Sequence, residues 1–200
     1  MAVKTVQAVI NGVTTTLTYN STSKKYEATI TAPATSSYNN NDGHYFPVTI
    51  KATDEAGNVT TKNDTDATLG SSLQLHVKEK TAPAITITYP TASALIINNK
   101  PAIRWKVTDN DSGVNPDTIG ITIDSGSKVT GSAITKTAIT GGYDCTYTPT
   151  TALADGSHTI KIDAADNDGN AATQKSVTFK IDTVPPTLSV TAPVKWFDYE

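Results

Sequence analysis

Apolar side chains fall at every second position through most of this chain. In the opening run Val6, Ala8 and Ile10 alternate with Thr5, Gln7 and Val9, Asn11-Gly12 follows, and Val13 to Tyr19 returns. Alternation of period two marks a strand with one face buried, and Asn-Gly between two such runs is a strong hairpin signal. Tyr26, Ala28 and Ile30 share a face before Pro33. Tyr45 to Thr53 points Val48 and Ile50 inward, Asp54 to Asn58 is a turn, Asn63 to Gly70 is a polar excursion, and Leu73, Leu75 and Val77 form a closing strand. A charged, proline-ended joint, KEKTAP, spans Lys78 to Pro83. Beyond it the alternation restarts with Ile85, Ile87 and Tyr89. Ile103, Trp105 and Val107 follow, which places Trp105 in the core and Arg104 and Lys106 outside. Further strands carry Ile119, Ile121 and Ile123, then weaker alternation from Val129 to Thr140, then Tyr143, Cys145 and Tyr147. Ile160 and Ile162 come next, and Val177, Phe179 and Ile181 close the unit. A second proline joint runs from Asp182 to Pro186, and Leu188 and Val190 begin the pattern again. No helix-period apolar pattern is sustained, so the chain is all-β with many short strands.

The pattern repeats. Asp166, Gly169 and Asn170 lie 112 residues after Asp54, Gly57 and Asn58, and Pro186 and Pro193 lie 103 residues after Pro83 and Pro90. Tyr26-x-Ala-Thr-Ile is echoed by Tyr143-x-Cys-Thr-Tyr. A period near 100 is too long for a solenoid and fits tandem β-sandwiches of about 100 residues each. The expected domains are a short sandwich over 1–80, a full one over 81–183, and the opening segment of a third over 184–200. The run Val6 to Gly12 aligns with Ile119 to Gly126, which lies in the middle of the second unit. The first unit therefore lacks two opening strands and has an uncovered edge. Such an edge is either a docking site for a partner chain or the mark of a shorter variant or of a chain cut inside a domain.

Composition fits this picture: hydrophobic content is 37% and charged content 18%, with Thr, Ser and Asn filling the gap. Net charge is −3 with no basic cluster, which argues against a nucleic-acid partner. No apolar run approaches the length of a membrane span, and the N-terminal run has no signal-peptide character. Cys145 is the only cysteine, so no intrachain disulfide forms, and its place in a strand reads as a small buried residue.

Chemistry is sparse. Asp163, Asp166, Asp168 and Asn170 lie within eight residues, Asp109 and Asp111 share another turn, and Asp182 stands beside the second proline joint. Calcium takes six to eight oxygen ligands, and clustered carboxylates at a joint supply them. Asp and Asn also occupy hairpin turns for backbone reasons alone, so both readings stand. His44 and His158 follow Asp-Gly at equivalent places in the repeat, which points to a structural role, and neither they nor His76 has a zinc-ligand partner nearby. No nucleophile elbow or catalytic carboxylate pair is apparent, and the expectation is no enzyme activity and no obligatory cofactor. Tyr38 and Tyr45, which flank the Asn39–His44 loop, are the aromatics placed for surface contact, and Trp196, Phe197 and Tyr199 read as the third module's second strand or as a truncated terminus.

These residues resemble the immunoglobulin-like repeats of bacteria and phages. The resemblance is carried by Pro185-Pro186 to Pro193, Asp109 to Val114, Asp155 to Thr159, Asp166 to Asn170, and Phe179 to Asp182. It covers Pro83 to Asp182, is partial over 3–79, where the Asp109–Val114 segment has no counterpart, and is a fragment after Val184. It implies tandem immunoglobulin-like sandwiches serving as a structural or adhesive module. One setting it implies is a phage virion, with the module tail-associated, bound to other virion proteins through the first unit's edge and touching host-surface glycan. The alternatives are the repeat region of an extracellular bacterial surface adhesin and a spacer on a carbohydrate-active enzyme.

Overall fold

The computed structural model describes residues 2–190. The third opening segment is described only to Val190, where 184–190 carry no strand. The aromatic residues Trp196, Phe197 and Tyr199 lie outside the described residues.

The first unit is one antiparallel sheet. Its strands are β1 (Val3–Ile10), β2 (Val13–Asn20), β3 (Lys25–Glu27), β4 (Phe46–Asp54), β5 (Val59–Lys62) and β6 (Gln74–Leu75). The order is β3-β2-β1-β4-β5, with β6 also on β4. Asn11 and Gly12 both take positive φ (46° and 76°), so a tight two-residue loop joins β1 to β2, as the Asn-Gly pair predicts. Val6 faces Ala52 and Ala8 faces Ile50 across the β1–β4 ladder, which puts the alternating apolar set on one face. That face has no second sheet over it among the described residues. Val6, Ala8, Phe46 and Leu73 are buried, whereas Ile10, Leu17, Val48, Ile50 and Ala52 are only half-buried. The unit expected as a short sandwich is therefore a single sheet among the described residues. Of the expected Leu73–Val77 strand only Gln74–Leu75 is strand, and Leu73 ends a 3-10 turn at Gly70–Leu73 that is set up by Asp66, which accepts the Thr68 and Leu69 N–H groups while Gly70 N–H closes back onto its carbonyl.

The second unit is a true sandwich. Its strands are β7 (Ala84–Tyr89), β8 (Leu95–Ile96), β9 (Ile103–Thr108), β10 (Gly120–Ile123), β11 (Thr135–Ile139), β12 (Gly142–Tyr147), β13 (Gly156–Asp163) and β14 (Lys175–Ile181). One sheet runs β10-β13-β14-β8 and the other β11-β12-β9-β7. Ile103, Trp105, Val107, Ile119, Ile121, Cys145, Ile160, Ile162 and Phe179 are fully buried between them. Each such aliphatic or aromatic side chain contributes roughly 1.5–3 kcal/mol relative to exposure, so this unit carries most of the chain's hydrophobic stabilisation. Gly142 has to be glycine: a Cβ there would sit 2.0 Å from the Val107 carbonyl oxygen across the β12–β9 ladder.

The repeat read from the sequence is also a repeat of geometry. In both Asp54–Asn58 and Asp166–Asn170, the Asp carboxylate accepts the Asn backbone N–H (2.9 and 2.7 Å) and the Asn side-chain amide (2.9 and 2.7 Å). Gly57 and Gly169 take positive φ in the same place. No helix of the described residues is long and apolar enough to cross a membrane.

Candidate cation site at the joint between the units

Two turns of the second unit face the joint that enters it. The Asp109–Gly113 turn follows β9 and is closed by the Asp109 carboxylate, whose Oδ1 accepts Asp111 and Gly113 N–H (3.0 and 2.9 Å). The Asp166–Asn170 turn follows β13 and docks on the first through Asn167, whose side-chain amide reaches the Ser112 and Gly113 carbonyls. The joint itself supplies Glu79. Its Oε1 accepts Ser112 N–H (2.7 Å), its own N–H bonds Asp168 Oδ2 (2.9 Å), and its carbonyl accepts the Asn170 amide (3.2 Å).

These bonds gather three carboxylates. One oxygen from each of Glu79, Asp109 and Asp166 lies within 4.8 Å of the others. Asp166 is 1% exposed, Asp109 is 7% exposed and Glu79 is half-buried. Among the described residues no Lys, Arg or His forms an ion pair with any of them. Asp109 Oδ2 accepts no hydrogen bond from the described residues, and the buried Ser112 hydroxyl on the same turn has no partner. Several like charges gathered away from water are unfavourable unless a cation joins them. An all-oxygen, carboxylate-rich donor set suits a hard divalent ion such as calcium and does not suit a soft metal.

The expected acidic residues divide three ways. Asp109 and Asp166 are brought together. Asp111, Asp168 and Asn170 form the surrounding frame: the Asp111 carboxylate accepts Ser36 N–H on both oxygens (2.9 and 3.0 Å), Asp168 holds Glu79 and its carbonyl takes the Lys78 ammonium (3.3 Å), and Asn170 holds Asp166. Asp163 and Asp182 lie elsewhere. Asp163 sits on β13, accepting Gln174 (2.8 Å) and 3.7 Å from Lys128. Asp182 is at the other end of β14, about 23 Å away at roughly 3.3 Å per residue, where it accepts Val184 N–H.

Glu79 is the residue the sequence reading missed, and the signal was present. The 103-residue offset that carries Pro83 onto Pro186 carries Glu79 onto Asp182. Asp182 thus occupies in the second joint the place that Glu79 occupies in the first, and it takes no part in this cluster.

Other expected residues fall into place singly. Trp105 and Cys145 are fully buried, and burial pushes the Cys145 thiol up to about 11. His44 takes φ +58° and stacks on Tyr38 with ring centroids 4.1 Å apart, and His76 Nδ1 meets the His44 carbonyl. His158 Nδ1 lies 2.8 Å from Asp124 and its Nε2 2.8 Å from the Ala154 carbonyl.

A family model described as a bacterial Ig-like domain matches residues 91–183. The fibronectin(III)-like modules of Clostridium thermocellum CbhA are 17% identical over 90% of this chain and 78% of theirs, at a TM-score of 0.38. CopC from Methylosinus trichosporium OB3b is 22% identical, covering 50% of this chain and 94% of that one, at 0.37. Dimeric latent PorU from Porphyromonas gingivalis is 20% identical over 72% of this chain, which spans 14% of PorU, at 0.43. No curated protein matches the chain.

Proposed function

We propose, on the premise that residues 91–183 are a bacterial Ig-like domain, that this chain is a non-enzymatic structural module whose two units are locked end to end by calcium. The observation that carries the reading is the convergence of Glu79, Asp109 and Asp166 at the joint. In calcium, those three carboxylates hold the ion, and the ion supplies the positive charge that lets them stay together. The surrounding bonds from Ser36 and Asn39 of the first unit to Asp111 then set the angle between the units. A joint set in this way transmits position along an extended appendage, which is the task of a spacer or adhesive repeat. The non-catalytic reading is supported by the His158–Asp124 pair: the second ring nitrogen is spent on the Ala154 carbonyl and not on a hydroxyl nucleophile.

The setting we propose is a phage tail, where the first unit's open sheet contacts other virion proteins and the exposed loops touch host-surface glycan. A bacterial cell-surface adhesin is the second reading, and the bacterial family match favours it. Mass spectrometry of purified virions against cell-wall fractions separates the two. The mechanical part is tested by a spin-label distance between units, one label on β5 and one on β11. The distance distribution should be narrow in calcium and broaden in chelator, and an equally narrow distribution in both sinks the calcium-locked reading.

A further inference from the structure

A cleft of about 430 Å³ lies between the Asp109–Gly113 turn and the tight loop that joins β11 to β12. Small-molecule sites span about 300–1,000 Å³, so the space suits one small ring. Both units build it. Asn39 comes from the first unit, held there by its Nδ2, which donates to the Asp111 carbonyl (2.6 Å). Asn167 comes from the turn after β13, its Nδ2 spent on the Ser112 and Gly113 carbonyls. Asn110 lies against the β11–β12 loop, where a Cβ on Gly141 would come within 2.7 Å of its Oδ1. Gly141 also takes φ +72°, so glycine keeps both the loop shape and the room for that amide. Tyr143 adds an aromatic ring, half-buried against the core.

The chemistry of the lining narrows what fits. No Lys, Arg or His lines the cleft, and its two charged residues are Asp109 and Asp111, so an anion is repelled. Asp111 is no receptor for a cationic ligand either, because both its carboxylate oxygens already accept Ser36 N–H. The aliphatic lining is limited to Val114, Ala138 and Ile139, and Val114 is itself buried, which is too little for a lipid or a large apolar side chain. What remains is neutral hydrogen-bonding capacity. Among the described residues, Oδ1 of Asn39, Oδ1 of Asn167, the whole Asn110 amide and the hydroxyls of Thr140 and Tyr143 make no hydrogen bond. Asn110 and Thr140 are exposed, so their groups are open to a ligand. Amides and hydroxyls that both donate and accept, set around one aromatic ring, match a ring that carries several hydroxyls.

We propose that this cleft holds one neutral sugar residue of a glycan, a hexose or an N-acetylhexosamine. It is the place where the glycan contact of the proposed function is made, and it rests on that reading. It does not rest on the ion: Asn110, Asn167, Thr140 and Tyr143 all belong to the second unit, and only Asn39 depends on how the units sit.

The test is an NMR chemical-shift titration of the full chain with glucose, galactose, mannose, N-acetylglucosamine and N-acetylgalactosamine, beside the neutral peptide Gly-Ser-Gly. At least one sugar should shift the side-chain amides of Asn110 and Asn167 and the backbone of Thr140 to Tyr143, with a dissociation constant on the order of 1–10 mM, as an open cleft allows. Asn110→Ala removes an exposed amide that bonds nothing in the chain, and Tyr143→Phe removes only a hydroxyl, so both keep the fold. Each should weaken binding about two- to tenfold, the loss of one hydrogen bond. Titrations in calcium and in EGTA separate this site from the joint. Sugar shifts that persist in EGTA support the site whatever becomes of the calcium lock, and an affinity equal in both buffers counts against that lock alone. No shift from any of the five sugars at about 50 mM overturns the proposal, as do shifts that both variants leave unchanged, or a stronger response to the peptide than to every sugar.

Discussion

Replacing Asp109 by Asn should change stability in opposite directions with and without calcium. The side chain keeps an oxygen to accept the Asp111 and Gly113 N–H groups, so the turn survives and only a charge is removed. Without a cation, three carboxylates with oxygens within 4.8 Å repel one another. At an effective dielectric of 20 each pair at 4.8 Å or closer costs at least about 3.5 kcal/mol, and removing one charge of the three, with Glu79 half-buried and its share screened by water, relieves on the order of 1 kcal/mol or more. In chelator the variant's second unit should therefore melt about 4 °C or more above the parent, at 4–8 °C per kcal/mol. In calcium the parent gains binding free energy that the variant lacks. Dissociation constants of about 0.1–1 mM, usual for extracellular modules, give about 1.4–2.7 kcal/mol at about 10 mM calcium. That puts the variant roughly 6–20 °C below its parent's calcium-raised melting temperature, less whatever the relieved repulsion returns. Differential scanning calorimetry in calcium and in EGTA reads both shifts. A variant that is destabilised alike in both buffers refutes the reasoning, because the carboxylate would then be structural and no ion would be involved.

Other consequences follow from single contacts. Burial alone would lower the His158 pKa, but the Ala154 carbonyl and the Asp124 carboxylate outweigh it and hold the imidazolium above its ordinary range. Desolvation likewise opposes the Asp124 charge, while the Thr159 N–H and His158 hold its carboxyl below the usual range. The histidine's contribution is complete below its unfolded pKa of about 6.5 and is lost as pH rises through the folded value. The aspartate's contribution is complete above about 3.9 and is lost as pH falls through its folded value. Stability from this pair should thus be greatest between about pH 4 and 6.5, and urea titrations of His158→Gln should show that maximum flattened. Cys145, with its thiol at about 11 and no exposure, should resist a thiol reagent at neutral pH until the second unit unfolds. Gly142→Ala should cost more than about 3 kcal/mol, measured by urea unfolding, because its methyl group meets Val107 backbone that the ladder fixes in place.

Much of the second unit was legible because alternation there coincides with burial on both inner faces. Ile103, Trp105 and Val107 alternate with Arg104, Lys106 and Thr108, and the first three are fully buried. The first unit was legible as strands and not as layers. Alternation in β1 and β4 says that one face is apolar, but nothing in the sequence of a strand says whether a second sheet arrives to cover that face. The candidate site was half legible. Asp109 and Asp166 announce themselves by turn spacing, and Asp163 and Asp182 look equally good on spacing alone. Which acids meet is decided by which end of each strand they occupy: Asp166 lies past the end of β13 that faces the joint, whereas Asp163 is within it and Asp182 is past the far end of β14. Glu79 was hidden in a segment read as a linker, where its charge looked like solvation.

The most direct test of the carboxylate cluster is calorimetric titration of the intact chain with calcium, beside the Asp166→Asn variant. Tight enough binding of a single ion per chain, lost in the variant while the parent's circular dichroism is kept, is the predicted result. Equal heats from parent and variant, or none from the parent at calcium up to about 10 mM, would contradict the account.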